Sequence, residues 1–303
     1  MCIRDSYKLN VSARRLRTSQ TRTIAVMIPS LAEPVINHIV EAIEDAAITA
    51  GYTLLLCSTR GDSEREQAYI DLITQQQSVD GVLYVSPRSA PEQVQRLVDG
   101  SAPVVLCNYR LDGTPSIMID HASSIYQTTR HLLELGHTRV ALLNLAAPHY
   151  QPALMRRAGF ERAFDEAQLT PDPALIVEID NPTYDSADWR AAIQTVLARP
   201  GPPTAIVAFN DVVALQVYAV CHARGLRIPR DLSVTGCDDI LTAQYVAPPL
   251  TSVRIPAREL GRFAMYHLLK LMAGESDMVP LNTWLDIDLI VRKSCAPPKR
   301  LPS

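Results

Sequence analysis

The chain has 303 residues, 47% hydrophobic, and a net charge of −3. That length exceeds what one core usually holds and predicts two lobes, each with a sizeable core of its own. Residues 1–22 carry six cations (Arg4, Lys8, Arg14, Arg15, Arg17 and Arg22) against Asp5 alone, so a mildly acidic body follows a basic lead-in and a polyanion is met from one end only.

No run approaches the 18 apolar residues of a membrane span, and charges stand where an export signal has its apolar segment. A cytoplasmic protein is expected. Cysteines at 2, 57, 107, 221, 237 and 295 form no C-x-x-C pair and no zinc-spaced cluster, which predicts reduced and mostly buried thiols.

In chain order, short apolar runs alternate with longer amphipathic ones. "TIAVMIP", "YTLLLCS", "DGVLYVS" and "APVVLCN" are separated by "EPVINHIVEAIEDAAITAG", "SEREQAYIDLITQQQ" and "PEQVQRLVDG". Continuous apolar strands separated by single helices indicate a parallel sheet covered on both faces. After "PSIMIDHASS" the rhythm restarts, with strands at "TRVALLN", "ALIVEID", "PTAIVAFN" and "DLSVTGC". Gly51 and Gly225 stand where left-handed helix stops are wanted, and Pro34, Pro203 and Pro229 mark entries or turns. "LTSVRIPARELGRFAMYHLLKLMAG" then gives a strand and a helix, and "TWLDIDLIVRKS" one more strand or a pair.

The fold class expected is α/β, with two doubly wound parallel-sheet lobes and several crossovers. The boundaries expected are 1–23 for the lead-in, 24–120 plus about 252–276 for the first lobe, about 121–250 plus 278–296 for the second, and 297–303 for a tail. Open parallel sheets bind ligands at the carboxyl ends of their strands, so a cleft between the lobes is the expected binding site.

"YKLNVSARRLRTSQTRTIAVMIP", "VDGVLYV", "TTRHLLELGHTRVALLN", "RRAGFERAF", "PPTAIVAFNDVVALQVYAVCHARGLRIPRDLSVTGCDD" and "PPLTSVRIPARELGRFAMYHLL" together resemble the lactose-repressor (LacI/GalR) family of bacterial transcription regulators. The resemblance runs from about Tyr7 to Ser294. It implies a periplasmic-binding-protein-like core that binds a small effector such as a sugar or nucleoside, forms a homodimer and controls affinity for operator DNA. "NVSARRLR" resembles the family's hinge helix, which implies DNA-binding roles for Asn10, Ala13, Arg14, Arg15 and Leu16, the leucine wedging into the minor groove while cations meet phosphates. The plainer reading of that stretch is a basic linker. Leu9 departs from the family's usual proline, and "MCIRDS" does not resemble the end of a helix-turn-helix head. A fragment or a wrongly started reading frame is therefore expected, with a naturally headless regulator as the alternative.

By position, the resemblance implies that Arg156 clamps polar ligand groups, Asp238 accepts from hydroxyls, and Asn210 meets the ligand or the cleft rim. Arg156 read alone is also an ordinary exposed helix-start arginine like its neighbour Arg157, and Asn210 is also a good helix cap. Asp239 is expected to cap the next short helix. Asp120 precedes the first crossing between lobes, followed by His121 where the family has Asn. Val35 and Ile36 occupy positions where the family places bulky, often aromatic, residues. Ser86 and Asn108 stand just past strand ends of the first lobe. Tyr184, Phe160, Phe209 and Tyr109 are candidates to stack on a ring, core packing being the plainer reading for each.

No metal and no cofactor is expected, because the two acids of "GCDD" lack a third ligand. A solute-binding protein for transport or chemosensing shares the fold but requires an export signal and no hinge. An enzyme is disfavoured by the absence of G-x-S-x-G, P-loop and dinucleotide fingerprints.

Overall fold

The computed structural model describes residues 20–76, 78–146, 149–180 and 187–299. The first lobe opens with β1 (Thr23–Ile28), α1 (Pro34–Thr49), β2 (Thr53–Ser58), α2 (Ser63–Gln76), β3 (Gly81–Val85), α3 (Pro91–Val98), β4 (Val104–Cys107) and β5 (Ser116–Ile119). The second continues with α4 (His121–Glu134), β6 (Val140–Leu145), α5 (Gln151–Glu166), β7 (Ile176–Ile179), α6 (Ala187–Leu197), β8 (Ala205–Ala208), α7 (Asp211–Ala223), β9 (Ser233–Asp238) and β10 (Thr251–Arg254). The chain ends with α8 (Ala257–Met272), β11 (Asn282–Leu285) and β12 (Asp288–Ile290).

The sheets run β11-β5-β4-β3-β1-β2 and β12-β10-β9-β8-β6-β7. Strands β3, β4, β5, β6 and β8 are buried throughout, as their mostly apolar runs require of a sheet covered on both faces. Edge strands β2 and β7 are half exposed. Pro34 starts α1, whose Ile36, Ile39, Ile43 and Ala47 recur at helical spacing and bury one face against α8 and the first sheet. Gly51 and Gly225 take φ of +78° and +69°, the left-handed stops expected of them.

Two helix pairs approach backbone to backbone at a glycine. A Cβ on Gly261 of α8 would stand 2.5 Å from the Ile39 carbonyl oxygen of α1, and one on Gly159 of α5 would stand 2.0 Å from the Ala122 oxygen of α4. Only a residue without a side chain allows either crossing.

Three crossings join the lobes, and they revise the expected boundaries. Strand β10 pairs with β9, so residues 251–254 belong to the second sheet rather than the first. Strand β11 pairs with β5, so 282–285 return to the first sheet from the stretch assigned to the second. Both strands lie just before a crossing, and four residues of mixed polarity do not say which sheet they join. The last crossing also makes β12 antiparallel to β10, a departure from wholly parallel sheets. It follows from direction: β11 runs toward the cleft like its neighbours, and with only residues 286–287 between them β12 enters the other lobe at the cleft end and runs away from it. Cys57, Cys107, Cys221 and Cys237 are buried free thiols, and Cys295 is free and half-buried.

Candidate functional site

The carboxyl ends of both sheets converge on one enclosed space, lined from the first lobe by Glu33, Val35, Ile36, Ile39, Ser86, Asn108 and Ile119. His121, Tyr150, Arg156, Phe209, Asn210, Asp238 and Ile255 complete it. Seven predicted residues (Val35, Ile36, Ser86, Asn108, Arg156, Asn210 and Asp238) are thus brought together from six separate segments. The cavity measures about 30 Å³. That is room for one or two waters, against several hundred Å³ for a typical ligand pocket, so a sugar-sized molecule enters only if the lobes part or side chains move.

Backbone geometry at the strand ends turns these side chains off the sheets. Ser86 follows β3 at φ +51°, Asn108 follows β4 at +56° and Asp238 ends β9 at +111°. Each non-glycine residue there carries a cost of roughly 1–3 kcal/mol, and such outliers gather at binding sites. Ser86 and Asn108 stay tied to the sheet because their N–H groups donate to the Cys107 and Ile117 carbonyls. The Asn108 side chain accepts from the Ile119 N–H at 3.2 Å and donates to Ser86 Oγ at 3.5 Å.

Arg156, on α5, is 6% exposed, which overturns the solvated-surface reading. Its guanidinium carbon lies 5.1 Å from the Phe209 ring centroid and 6.0 Å from that of Tyr150, so two aromatic rings hold the cation. Nε and Nη1 are buried with no hydrogen-bond partner among the described residues. Arg157 beside it pairs with Glu161 and Glu178 at the surface. His121 is 5% exposed, and both its ring nitrogens are likewise buried without a partner. Burial, reinforced by the Arg156 charge, holds the His121 pKa well below the usual imidazole range.

Burial also drives the half-buried Asp238 carboxyl well above the usual carboxylate range; the charges of Asp211 and Glu33 add to that rise and Arg156 opposes it. Asp211 is pushed up to about 7, again mainly by burial, although Ser252 Oγ donates to it at 2.6 Å and the Ile240 N–H at 2.9 Å. Asn210 lines the cavity and also caps α7, accepting from the Val213 N–H at 2.9 Å.

Other expectations are redirected. Asp120 caps α4, accepting from Ser123 N at 2.9 Å and Ser123 Oγ at 2.6 Å, and it does not line the cavity. Asp239 caps nothing; its carboxylate is held between Arg254 at 2.8 Å and Arg292 at 2.5 Å. Phe160 stacks on Phe164 in the second-lobe core and Tyr109 is buried in that of the first, whereas Phe209 faces the cavity. Tyr184 and the hinge residues Asn10, Ala13, Arg14, Arg15 and Leu16 lie outside the described residues. Where the basic lead-in meets the body, Asp80 accepts from Thr21 N, Thr21 Oγ1 and Arg22 N at 2.7 to 2.8 Å.

Sequence reasoning missed Tyr150 as a lining residue, although Pro152 marks a helix entry just past β6 and so sets Tyr150 at a strand's carboxyl end. It also missed the direct ties between lobes. Gln151 accepts from the Arg110 N–H at 2.8 Å and donates to the Arg110 carbonyl at 3.0 Å, while Arg88 stacks on Tyr150 at 4.8 Å.

Two wider hollows, about 600 Å³ beside Thr21 and Tyr52 and about 560 Å³ beside Tyr126 and Arg130, are open depressions that contain none of the predicted site residues. Among the described residues there is no cluster of His, Cys, Asp or Glu able to hold a metal, and no helix is long and apolar enough to cross a membrane.

Residues 129–295, more than half the chain, match the periplasmic binding protein-like domain family. The transcriptional repressor PurR of Aliivibrio fischeri is 33% identical over 271 residues, covering 88% of this chain and 79% of the relative. PurR of Haemophilus influenzae is 29% identical over 293 residues, 95% of this chain and 86% of the relative. Among solved structures, the transcription regulator CcpA of Lactococcus lactis superposes with a TM-score of 0.80 at 26% identity, covering 90% of this chain and 98% of that one. A complex of the transcriptional regulator CelR with cellobiose gives 0.79 at 29% identity, over 91% and 85%. These relatives are regulators of transcription rather than enzymes. With its two α/β lobes, thrice-crossed hinge and interlobe cavity, the chain belongs to the LacI/GalR family, as an effector-binding core of the periplasmic-binding-protein-like type.

Proposed function

We propose that this chain is the sensing half of a transcriptional regulator: a small metabolite enters between the lobes, changes their separation, and so changes the affinity of a dimer for operator DNA through the basic lead-in. The observation that carries the reading is Arg156, a buried cation held between two rings with unsatisfied donors facing a shared cavity. A buried cation whose donors meet no hydrogen-bond acceptor among the described residues is costly, and an acceptor on an entering ligand would offset that cost. Asp238, Asn210, Asn108 and Ser86 add acceptors and donors suited to hydroxyls. The resemblance to the cellobiose-bound CelR supports a sugar-like effector.

The coupling follows from direction of motion. Both lobes contribute one wall, so a ligand that binds one lobe separation better than another biases that equilibrium by its differential affinity. The Asp80 clamp on Thr21 and Arg22 ties the start of the first lobe to the lead-in, so movement of that lobe moves the segment that meets DNA.

The test is a thermal-shift screen of the chain against sugars, nucleosides and purines. A ligand at a hundred times its Kd adds about 2.7 kcal/mol of stability. The reading predicts specific stabilisation that disappears in both Arg156→Ala and Asp238→Ala. Stabilisation that persists in both variants would remove the site.

A further inference from the structure

Arg156 and His121 on the cavity wall carry buried guanidinium and ring nitrogens with no hydrogen-bond partner among the described residues. Arg156 buries Nε and Nη1 without an acceptor and takes part in none of the ion pairs of the described residues, unlike Arg157 beside it. His121, the first residue of α4, buries both ring nitrogens without a partner. Both side chains are more than nine-tenths buried, both line the same 30 Å³ space, and the charge of one acts on the ring of the other. Unsatisfied buried donors cost about 1–3 kcal/mol each and more when charged. Two such residues side by side mark where a ligand acceptor belongs.

We propose that the effector carries a carboxylate, seated against Arg156 and His121, so that the natural ligand is a small hydroxylated acid rather than a neutral sugar. This rests on the cleft being the effector site and adds the chemical class of what enters it.

The neighbouring acids are consistent with that assignment. Asp239 is neutralised by Arg254 and Arg292, and Asp211 is occupied by Ser252 and the Ile240 N–H. Asp238 and Glu33 both line the cavity, and the raised pKa of Asp238 gives it protonated character, able to donate an O–H to a ligand oxygen. Among the described residues Arg156 is the one permanent cation on the wall, and with Glu33 also there a phosphate dianion would bring negative charge well in excess of it. Asn108, Asn210 and Ser86 then remain for hydroxyls, which makes the acid a polyhydroxylated one.

The test is isothermal titration of the whole chain with D-gluconate, D-glucuronate and D-galacturonate, each against its neutral parent D-glucose or D-galactose, and against D-glucose 6-phosphate. At least one acid is expected to bind tenfold or more tightly than its parent. His121→Leu should weaken that acid by about tenfold while keeping the wild-type melting temperature or raising it, and His121→Gln, which keeps a donor and an acceptor, should recover part of the loss. Parent sugars binding as well as their acids, the phosphate binding best, or a His121→Leu protein that binds the acid unchanged would each overturn the assignment. If neutral sugars or nucleosides bind and Arg156→Ala abolishes that binding, the carboxylate falls and the cleft reading stands. If no compound of any class binds, both fall.

Discussion

Replacing Gly159 with alanine tests the link between the fold and the site at one atom. The new Cβ would stand 2.0 Å from the Ala122 carbonyl oxygen, 2.8 Å from its carbon and 3.0 Å from its Cα, all backbone atoms that no rotamer change can clear. Helices α4 and α5 must therefore separate. Overpacking of this kind costs roughly 1–3 kcal/mol, and since the obstacle is main chain the upper end is expected. At about 2–4 °C per kcal/mol, the melting temperature should fall by roughly 5–10 °C. Function should suffer more than stability, because Ala122 adjoins His121 and Gly159 lies one turn beyond Arg156, so the same displacement moves both groups at the cavity wall. Calorimetry of the variant beside Gly113→Ala, where a Cβ meets open space although φ is +75°, separates crowding from backbone strain. An unchanged melting temperature, or one matching the Gly113 variant with ligand binding intact, would refute the reasoning.

Three more outcomes follow from the same geometry. Arg156→Met should raise the melting temperature of the ligand-free protein, by about 1–3 kcal/mol of stability, since a buried cation without an acceptor is exchanged for an apolar chain of similar length, while ligand binding is lost; a destabilised variant would show the cation already paired. Gln151→Ala removes both hydrogen bonds to Arg110, each contributing about 0.5–1.5 kcal/mol, and should increase the radius of gyration by X-ray scattering; no change would mean that these bonds do not hold the lobes together. Asp211, raised from its ordinary value to about 7, favours the neutral acid in the fold, so its contribution is complete below about pH 4 and is lost as pH rises through about 7. Thermal melts between pH 5 and 8 should show wild type losing stability relative to Asp211→Asn as pH rises, and parallel curves would contradict that.

The sheet architecture was legible because β3, β4 and β8 are unbroken apolar runs, and only burial on both faces makes such runs stable. The crossings were less so: β10 and β11 are four-residue strands of mixed polarity, and nothing in "TSVR" or "NTWL" says which sheet it joins. Arg156 and Arg157 are adjacent and chemically identical, yet one is buried between rings and the other solvated. Helical phase separates them, and resemblance rather than composition picked the right one. His121 reads in the sequence only as a departure from the family's Asn, because burial without a partner among the described residues is a property of three dimensions. Asp120 and Asp239 show the converse: a carboxylate beside a strand end suits a ligand, a helix cap or an arginine equally, and packing chose the last two.

The most direct measurement is a crystal structure of the chain grown with the compound that stabilises it most. The account predicts ligand density between the lobes, within hydrogen-bonding distance of Arg156 and Asp238, with the cavity enlarged well beyond its 30 Å³. Density instead in the hollow beside Tyr126 and Arg130, or beside Thr21 and Tyr52, with the interlobe space unchanged, would contradict it.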